Sequence, residues 1–189
     1  GSAERAMTFA QKITQHIRAQ HAAPLQPMGK TERFSLYKVG PVISVSHGMG
    51  IPSISILLHE MTKLLHYAGV EDPVYMRIGT SGGIGLPAGT IVITEEGLNG
   101  KLEPYYELPV LGEMRRYPTT FDSALIKSIV DCRSALDVCV GKTLGVDCFY
   151  EGQGRLDGAL NPGYNETQKF DFLKKLYGLG VRNIEMEAC

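Results

Sequence analysis

Four short segments of this sequence carry groups able to hold an anion, a flat polar ring and a pair of hydroxyls. The chain opens Gly1, Ser2, Ala3, Glu4, Arg5. Glycine lets backbone approach an anion, a helix start presents free N–H groups, and Arg5 adds a fixed positive charge. An ordinary helix cap followed by a surface arginine has the same residues. In Met76, Arg77, Ile78, Gly79, Thr80, Ser81, Gly82, Gly83 an arginine stands inside an otherwise apolar strand. A buried guanidinium needs an anionic partner. That partner is either a structural carboxylate or, given Thr80 and the flexible glycines that follow, the oxygens of a phosphate. The third segment, 149–158, contains Phe149, Gln153 and Arg155. A flat face, an amide that donates and accepts, and a fork of donors suit a pyrimidine with two carbonyls and an N–H. A polar surface loop around one buried aromatic fits these residues too. The fourth, Glu185, Met186, Glu187, closes an apolar run and puts both carboxylates on one face if the strand continues that far. Carboxylates bind vicinal hydroxyls and methionine packs on a sugar ring; exposed charges at a strand end are the plainer alternative.

Other chemistries fail on spacing. His59 and Glu60 begin an H-E-x-x-H zinc pattern, but Lys63 stands at the closing position. Gly141, Lys142 and Thr143 look like the end of a nucleotide-triphosphate loop, yet Leu136 occupies the place of its first glycine. The glycine-rich run 79–85 lacks the dinucleotide fingerprint. His16, His21, His59 and His66 read as residues of solvated or packed helix faces.

The elements that must position these segments follow from hydrophobic periodicity. Ser2 caps a helix with Ala6, Phe9, Ala10, Ile13 and Ile17 at helical spacing, ending near Pro24. Residues 34–39 and 42–46 predict two strands of a hairpin turning at Gly40 and Pro41. Ser53 is expected to cap a second helix that buries Ile54, Leu57, Leu58, Met61, Leu64 and Leu65. Further strands are expected at 74–78, 90–94, 137–140, 143–147 and 181–186, and helices near 122–136 and 166–177. This alternation predicts an α/β fold with a mixed sheet.

The 189 residues, 43% hydrophobic and 21% charged, suffice for one domain with a real core. A net charge of -1 leaves no basic excess for nucleic acid or a membrane surface. Cys132, Cys139, Cys148 and Cys189 form no C-x-x-C pair, which with no signal peptide or long apolar run predicts reduced thiols in the cytoplasm. Gly1 opens directly into the candidate anion loop and Cys189 follows where a helix is expected to begin. We therefore expect a single domain over 1–189 whose N-terminal and C-terminal portions are absent.

Taken in order, the four segments resemble the uridine phosphorylases of the nucleoside phosphorylase family, animal-type members in particular. The resemblance rests on 149–160 (FYEGQGRLDGAL), 77–85 (RIGTSGGIG), 46–53 (SHGMGIPS) and 183–187 (NIEME), and runs along nearly all of the chain. It implies a three-layer sandwich with a central mixed β-sheet flanked by helices. The implied reaction is phosphorolysis of uridine to uracil and ribose 1-phosphate, with inorganic phosphate as co-substrate and no cofactor. By resemblance Gly1, Arg5, Arg77 and Thr80 hold phosphate, and Arg33 completes the pocket of a neighbouring subunit. The active site is then shared in a homo-oligomer, with a dimer favoured. Phe149, Gln153 and Arg155 would hold uracil, with Gly82 against the base or sugar, while Glu185, Met186 and Glu187 hold ribose. Arg155, Gln153, Glu187 and Arg77 carry the catalytic roles. A cation site of bacterial relatives needs a glutamate where Phe34 stands, so no required metal is expected. The family also uses a neighbouring subunit's N-terminal histidine and residues after position 189; neither is in this sequence. Two alternatives remain: a same-fold nucleosidase, against which the three candidate phosphate arginines argue, and a non-catalytic uridine- or uracil-binding homologue, against which the pairing of Gln153 with Arg155 argues.

Overall fold

The computed structural model describes residues 1–17, 25–30, 33–133 and 135–189. The expected end of the first helix near Pro24, and His21, lie outside the described residues. The chain divides into two compact units, Gly1–Gly79 and Thr80–Cys189.

In the first unit, α1 (Ala3–Ile17) starts as expected: the Arg5 backbone N–H donates to Ser2 Oγ at 3.3 Å. Strands β1 (Gly29–Lys30), β2 (Ser35–Val39) and β3 (Val42–Val45) form an antiparallel sheet in that order. The β2–β3 hairpin turns at Gly40 and Pro41, where Gly40 takes the positive φ of 56° that a tight hairpin's first central residue requires. Strand alternation assigns the two faces of the sheet. Tyr37 and Val39 pack on Ala6 and Ala10 of α1, and on the same face Ser44 Oγ donates to the Ala6 carbonyl at 2.9 Å. Leu36, Ile43 and Val45 turn the other way onto Phe34, Leu57 and Met61.

Leu57 and Met61 belong to α2 (Ile51–Tyr67), which differs from expectation in two respects. Its cap is Gly50, at φ 85°, followed by Pro52 in the first turn; Ser53 lies inside the helix and its hydroxyl donates to the His47 carbonyl at 2.6 Å. Proline suits a first turn because its missing N–H costs nothing there. Ile51, Leu57 and Met61 are buried and Ile54 and Leu65 half-buried, but Leu58 and Leu64 are exposed, because this unit's sheet covers only one stripe of a wider apolar arc.

Residues 74–78 form no strand. Val74, Met76 and Ile78 are exposed, as is Arg77, so the guanidinium expected inside an apolar strand lies instead in an extended exposed segment. A strand exists only where a neighbouring edge completes its hydrogen bonds, and the first unit's sheet contains β1, β2 and β3 alone among the described residues.

The second unit is built from β4 (Gly82–Gly83), β5 (Ile91–Leu98), β6 (Tyr105–Val110), β7 (Glu113–Pro118), α3 (Ser123–Asp131), β8 (Val138–Gly145), α4 (Glu166–Gly178) and β9 (Val181–Glu185). Its main sheet runs β4-β9-β8-β5, with β5, β8 and β9 parallel and β4 antiparallel. The mixed α/β sheet expected from the sequence is thus present. Asp122 caps α3 by accepting from the Leu125 N–H at 2.6 Å, and Asn165 and Gln168 form a reciprocal capping box on α4. The core comprises Ile84, Leu98, Leu144, Val146, Leu176, Val181 and Ile184.

Where two strands were expected at 137–140 and 143–147 there is one, β8, running through Gly141 and Lys142. Flanking strands on both sides supply its hydrogen bonds, and a register shift at Lys142/Thr143 absorbs the irregularity. The β6–β7 hairpin was not foreseen: its polar, proline-containing strands lack alternation, and its two-residue turn, Leu111–Gly112 with φ of 53° and 86°, has the favoured hairpin geometry but leucine where asparagine or aspartate is the usual signal. All four cysteines are free thiols, and no described helix is long and apolar enough to cross a membrane.

Candidate functional site

Of the candidate anion residues of the first unit, Gly1 and Arg5 lie together. The Gly1 backbone nitrogen lies 2.9 Å from His47 Nε2 and donates to the Gly48 carbonyl at 2.6 Å, while the Gly48 N–H donates back to Gly1 O at 3.0 Å. A side chain at Gly1 would meet the Arg5 guanidinium at 3.6 Å, so these two sit together. His47, buried, is a bracing residue that the sequence reading did not single out; the glycines around it were the available signal. Arg33 is exposed immediately before β2. Arg77 is exposed with its guanidinium folded over Gly79, where an added Cβ would lie 2.9 Å from Nη2.

In the second unit, Thr80 and Gly82 flank Ser81 on the approach to β4. A chain of hydrogen bonds, buried at its centre, fixes this segment: Thr94 Oγ1 lies 2.7 Å from Thr143 Oγ1, Thr143 donates to Asn183 Oδ1 at 2.6 Å, and Asn183 Nδ2 donates to Ser81 Oγ at 2.9 Å. Gly82 pairs with Ile184, so the structure brings the 80–83 segment beside the 183–187 segment. Strand β9 stops at Glu185, which overturns the expectation that Glu185 and Glu187 project from one strand face. The chain bends because the buried Glu185 carboxylate accepts from the Glu187 N–H at 2.9 Å and the Ala188 N–H at 2.7 Å. Met186 and Glu187 are half-buried on the resulting turn.

That turn lies on two glycines. A Cβ on Gly97 of β5 would fall 2.3 Å from Ala188 O, and one on Gly145 of β8 would fall 3.0 Å from Cys189 Sγ. The backbone oxygen cannot yield as a flexible side chain would. Gly97→Ala is therefore expected to cost about 1–3 kcal/mol through overpacking. Thermal denaturation checks this; an unchanged Tm would show that the turn tolerates displacement.

The 149–158 segment follows β8 closely. A short 3-10 turn, Glu151–Gln153, ends at Gly154, whose φ of 67° reverses the chain. The Arg155 N–H donates to Tyr150 O at 3.0 Å, and Tyr164 OH donates to Arg155 O at 2.7 Å. The Arg155 guanidinium lies 4.3 Å from the centre of the Phe149 ring and 5.4 Å from that of Tyr150. It also meets Asp157 in a forked ion pair, through Nε to Oδ1 at 2.8 Å and Nη2 to Oδ2. The Arg155 hydrogen bond holds the Asp157 carboxyl down at about 2, and Asp157 in turn raises the arginine's own pKa. Gln153 is half-buried on the same turn. Gly145 of β8 pairs with Glu185 of β9, so the 149–158 and 185–187 segments leave the carboxyl ends of adjacent parallel strands. Open α/β sheets bind ligands in this position.

Similarity to known proteins runs over the whole chain. The sequence model of the phosphorylase superfamily matches residues 1–189. Uridine phosphorylase 1 of Mus musculus is 45% identical over 193 aligned positions, covering 100% of this chain and 62% of that protein. Inactive uridine phosphorylase B of Schistosoma mansoni is 42% identical over 194 positions, covering 100% of this chain and 64% of that protein. The crystal structure of Schistosoma mansoni uridine phosphorylase in complex with uracil superimposes with a TM-score of 0.92 at 42% identity, over 100% of this chain and 65% of that one. The chain thus spans less than two thirds of the length of each of these relatives. It shares their mixed α/β fold with a central mixed sheet flanked by helices, and a match to every one of its 189 residues shows that it belongs to the phosphorylase superfamily.

Proposed function

We propose that this chain carries the base, ribose and phosphate groups of a uridine phosphorylase, which splits uridine with inorganic phosphate into uracil and ribose 1-phosphate. The observation that carries the reading is the placement of the 149–158 and 185–187 segments at the ends of adjacent parallel strands, with Gly82 hydrogen-bonded alongside. Similarity to uridine phosphorylases across the whole chain supports it.

Cleavage of the C1′–N1 bond leaves the electron pair on uracil and positive charge on the ribose, while a phosphate oxygen bonds to C1′. Arg155 and Gln153 would stabilise the charge growing on the base carbonyl edge, with Phe149 holding its face. Arg5, Arg77, Thr80 and the Gly1 backbone would hold the phosphate, so that positioning supplies much of the rate. Arg33 would serve the phosphate pocket of a partner copy in a homodimer. Met186 and Glu187 would contact ribose. Glu185 would act mainly by shaping the turn beneath them, since its carboxylate is engaged by backbone N–H groups. Phosphate is the co-substrate, no cofactor is required, and the reading is of one domain acting in the cytoplasm.

The test is uracil release from uridine by the full-length protein with and without inorganic phosphate. Release only with phosphate, together with ribose 1-phosphate, is expected. Release without phosphate would make it a nucleosidase. Similarity to an inactive relative gives weight to a second reading, a uridine-binding homologue without turnover; binding without release under either condition would establish that one.

A further inference from the structure

We infer that Asp157 is the positioning residue for Arg155: by gripping the Nε–Nη2 edge of the guanidinium it presents the Nη1–Nη2 end to the departing base. The inference rests on the assignment of Arg155 to uracil made above. Arginine carries five N–H donors in a rigid plane. Asp157 takes the one on Nε and one on Nη2. Three remain: one on Nη1 and one on Nη2 form the parallel end-on pair, and the second on Nη1 points toward the Cδ side. The guanidinium carbon lies 4.3 Å from the centre of the Phe149 ring, and the Arg155 backbone is pinned by Tyr150 and Tyr164. With the backbone and one edge fixed and the Phe149 ring beside the guanidinium, the end-on pair has a single direction. Without Asp157 the long side chain would keep its charge and lose its aim.

Two further properties suit this role. The carboxyl is ionised throughout the neutral range, as an exposed aspartate is, and Arg155 holds it lower still, at about 2. The pair is also partly solvated, with side-chain exposures of 34% for Arg155 and 63% for Asp157. Ion pairs so exposed contribute little to stability. Loss of Asp157 should therefore leave folding intact and show itself in the reaction. The carboxylate also dilutes the positive charge near the base, an effect opposite in sign, so removing it would speed the reaction if dilution outweighed positioning.

The experiment compares full-length wild type, Asp157→Asn, Asp157→Glu, Arg155→Ala and the double variant, with uridine and 5-fluorouridine as substrates, alongside thermal denaturation. Asp157→Asn is expected to lower kcat with uridine about 10- to 100-fold, the usual effect of a misplaced catalytic group, with Tm and KM for phosphate unchanged. The loss should be smaller with 5-fluorouridine, whose more acidic base needs less stabilisation, and Asp157→Glu should restore part of it. The double variant should be no worse than Arg155→Ala alone. Wild-type or faster turnover by Asp157→Asn beside a crippled Arg155→Ala would overturn this inference by itself, as would additive losses in the double variant. Normal turnover by Arg155→Ala would overturn the assignment of Arg155 and this inference with it.

Discussion

Replacing Arg155 by alanine in the full-length protein should lower kcat for uridine about 100- to 1000-fold, the range seen when one preorganised donor to a developing anion is removed. The magnitude follows from what the guanidinium would do at each stage of the proposed reaction. In bound uridine the carbonyl edge carries only partial charge, so the donor fork contributes modestly to binding. As C1′–N1 lengthens, a full negative charge spreads over the ring, and the same donors strengthen. An interaction made mainly in the transition state appears in kcat rather than KM. KM for uridine should change only a few-fold, because Phe149, Gln153 and the ribose contacts remain. Lysine at this position should recover little, since it supplies charge without the planar fork that stacks at 4.3 Å on Phe149. Initial rates of uracil release at saturating phosphate measure the effect. A variant within tenfold of wild type would remove Arg155 from the catalytic role.

Leu144→Ala should be the most damaging single truncation of the second unit's core, costing about 3–5 kcal/mol by lost burial and a residual cavity. Leu144 has no exposed surface and lies in β8 with strands on both sides. Its cluster includes Ile84, Leu176 and Ile184, from a loop, a helix and a strand, so no one neighbour can collapse into the space. In a protein of this size such a loss lowers Tm by about 10 °C. The variant should also lose activity near its melting range, because the candidate base and ribose segments leave β8 and β9 directly. Thermal denaturation of the full-length protein tests this. A loss below about 1 kcal/mol would mean that the core relaxes around the gap.

Much of the architecture was legible in the sequence because it depends on local pattern. Apolar spacing marked α1 and α2, and Gly40–Pro41 marked the hairpin. The β6–β7 hairpin escaped because its stability resides in cross-strand pairs, including Arg116 with Glu107, that no periodicity announces. Ser53 misled because a serine after proline resembles a cap, while Gly50 filled that role through its positive φ.

The sequence by itself determined the chemistry available: which segments hold arginine, amide, aromatic and carboxylate groups, in what order, and hence the family they resemble. Side-chain type and chain order need no folding to be known. Tertiary structure alone decided how those groups are spent. It turned the Glu185 carboxylate onto the backbone of its own turn, joined Ser81 to Thr94 through Asn183 and Thr143, and left the 74–78 segment exposed. It also set Asp157 against the fork of Arg155. Each of these depends on direction and distance between groups, and a hydrogen bond that fails beyond a few tenths of an ångström is fixed by packing rather than by composition.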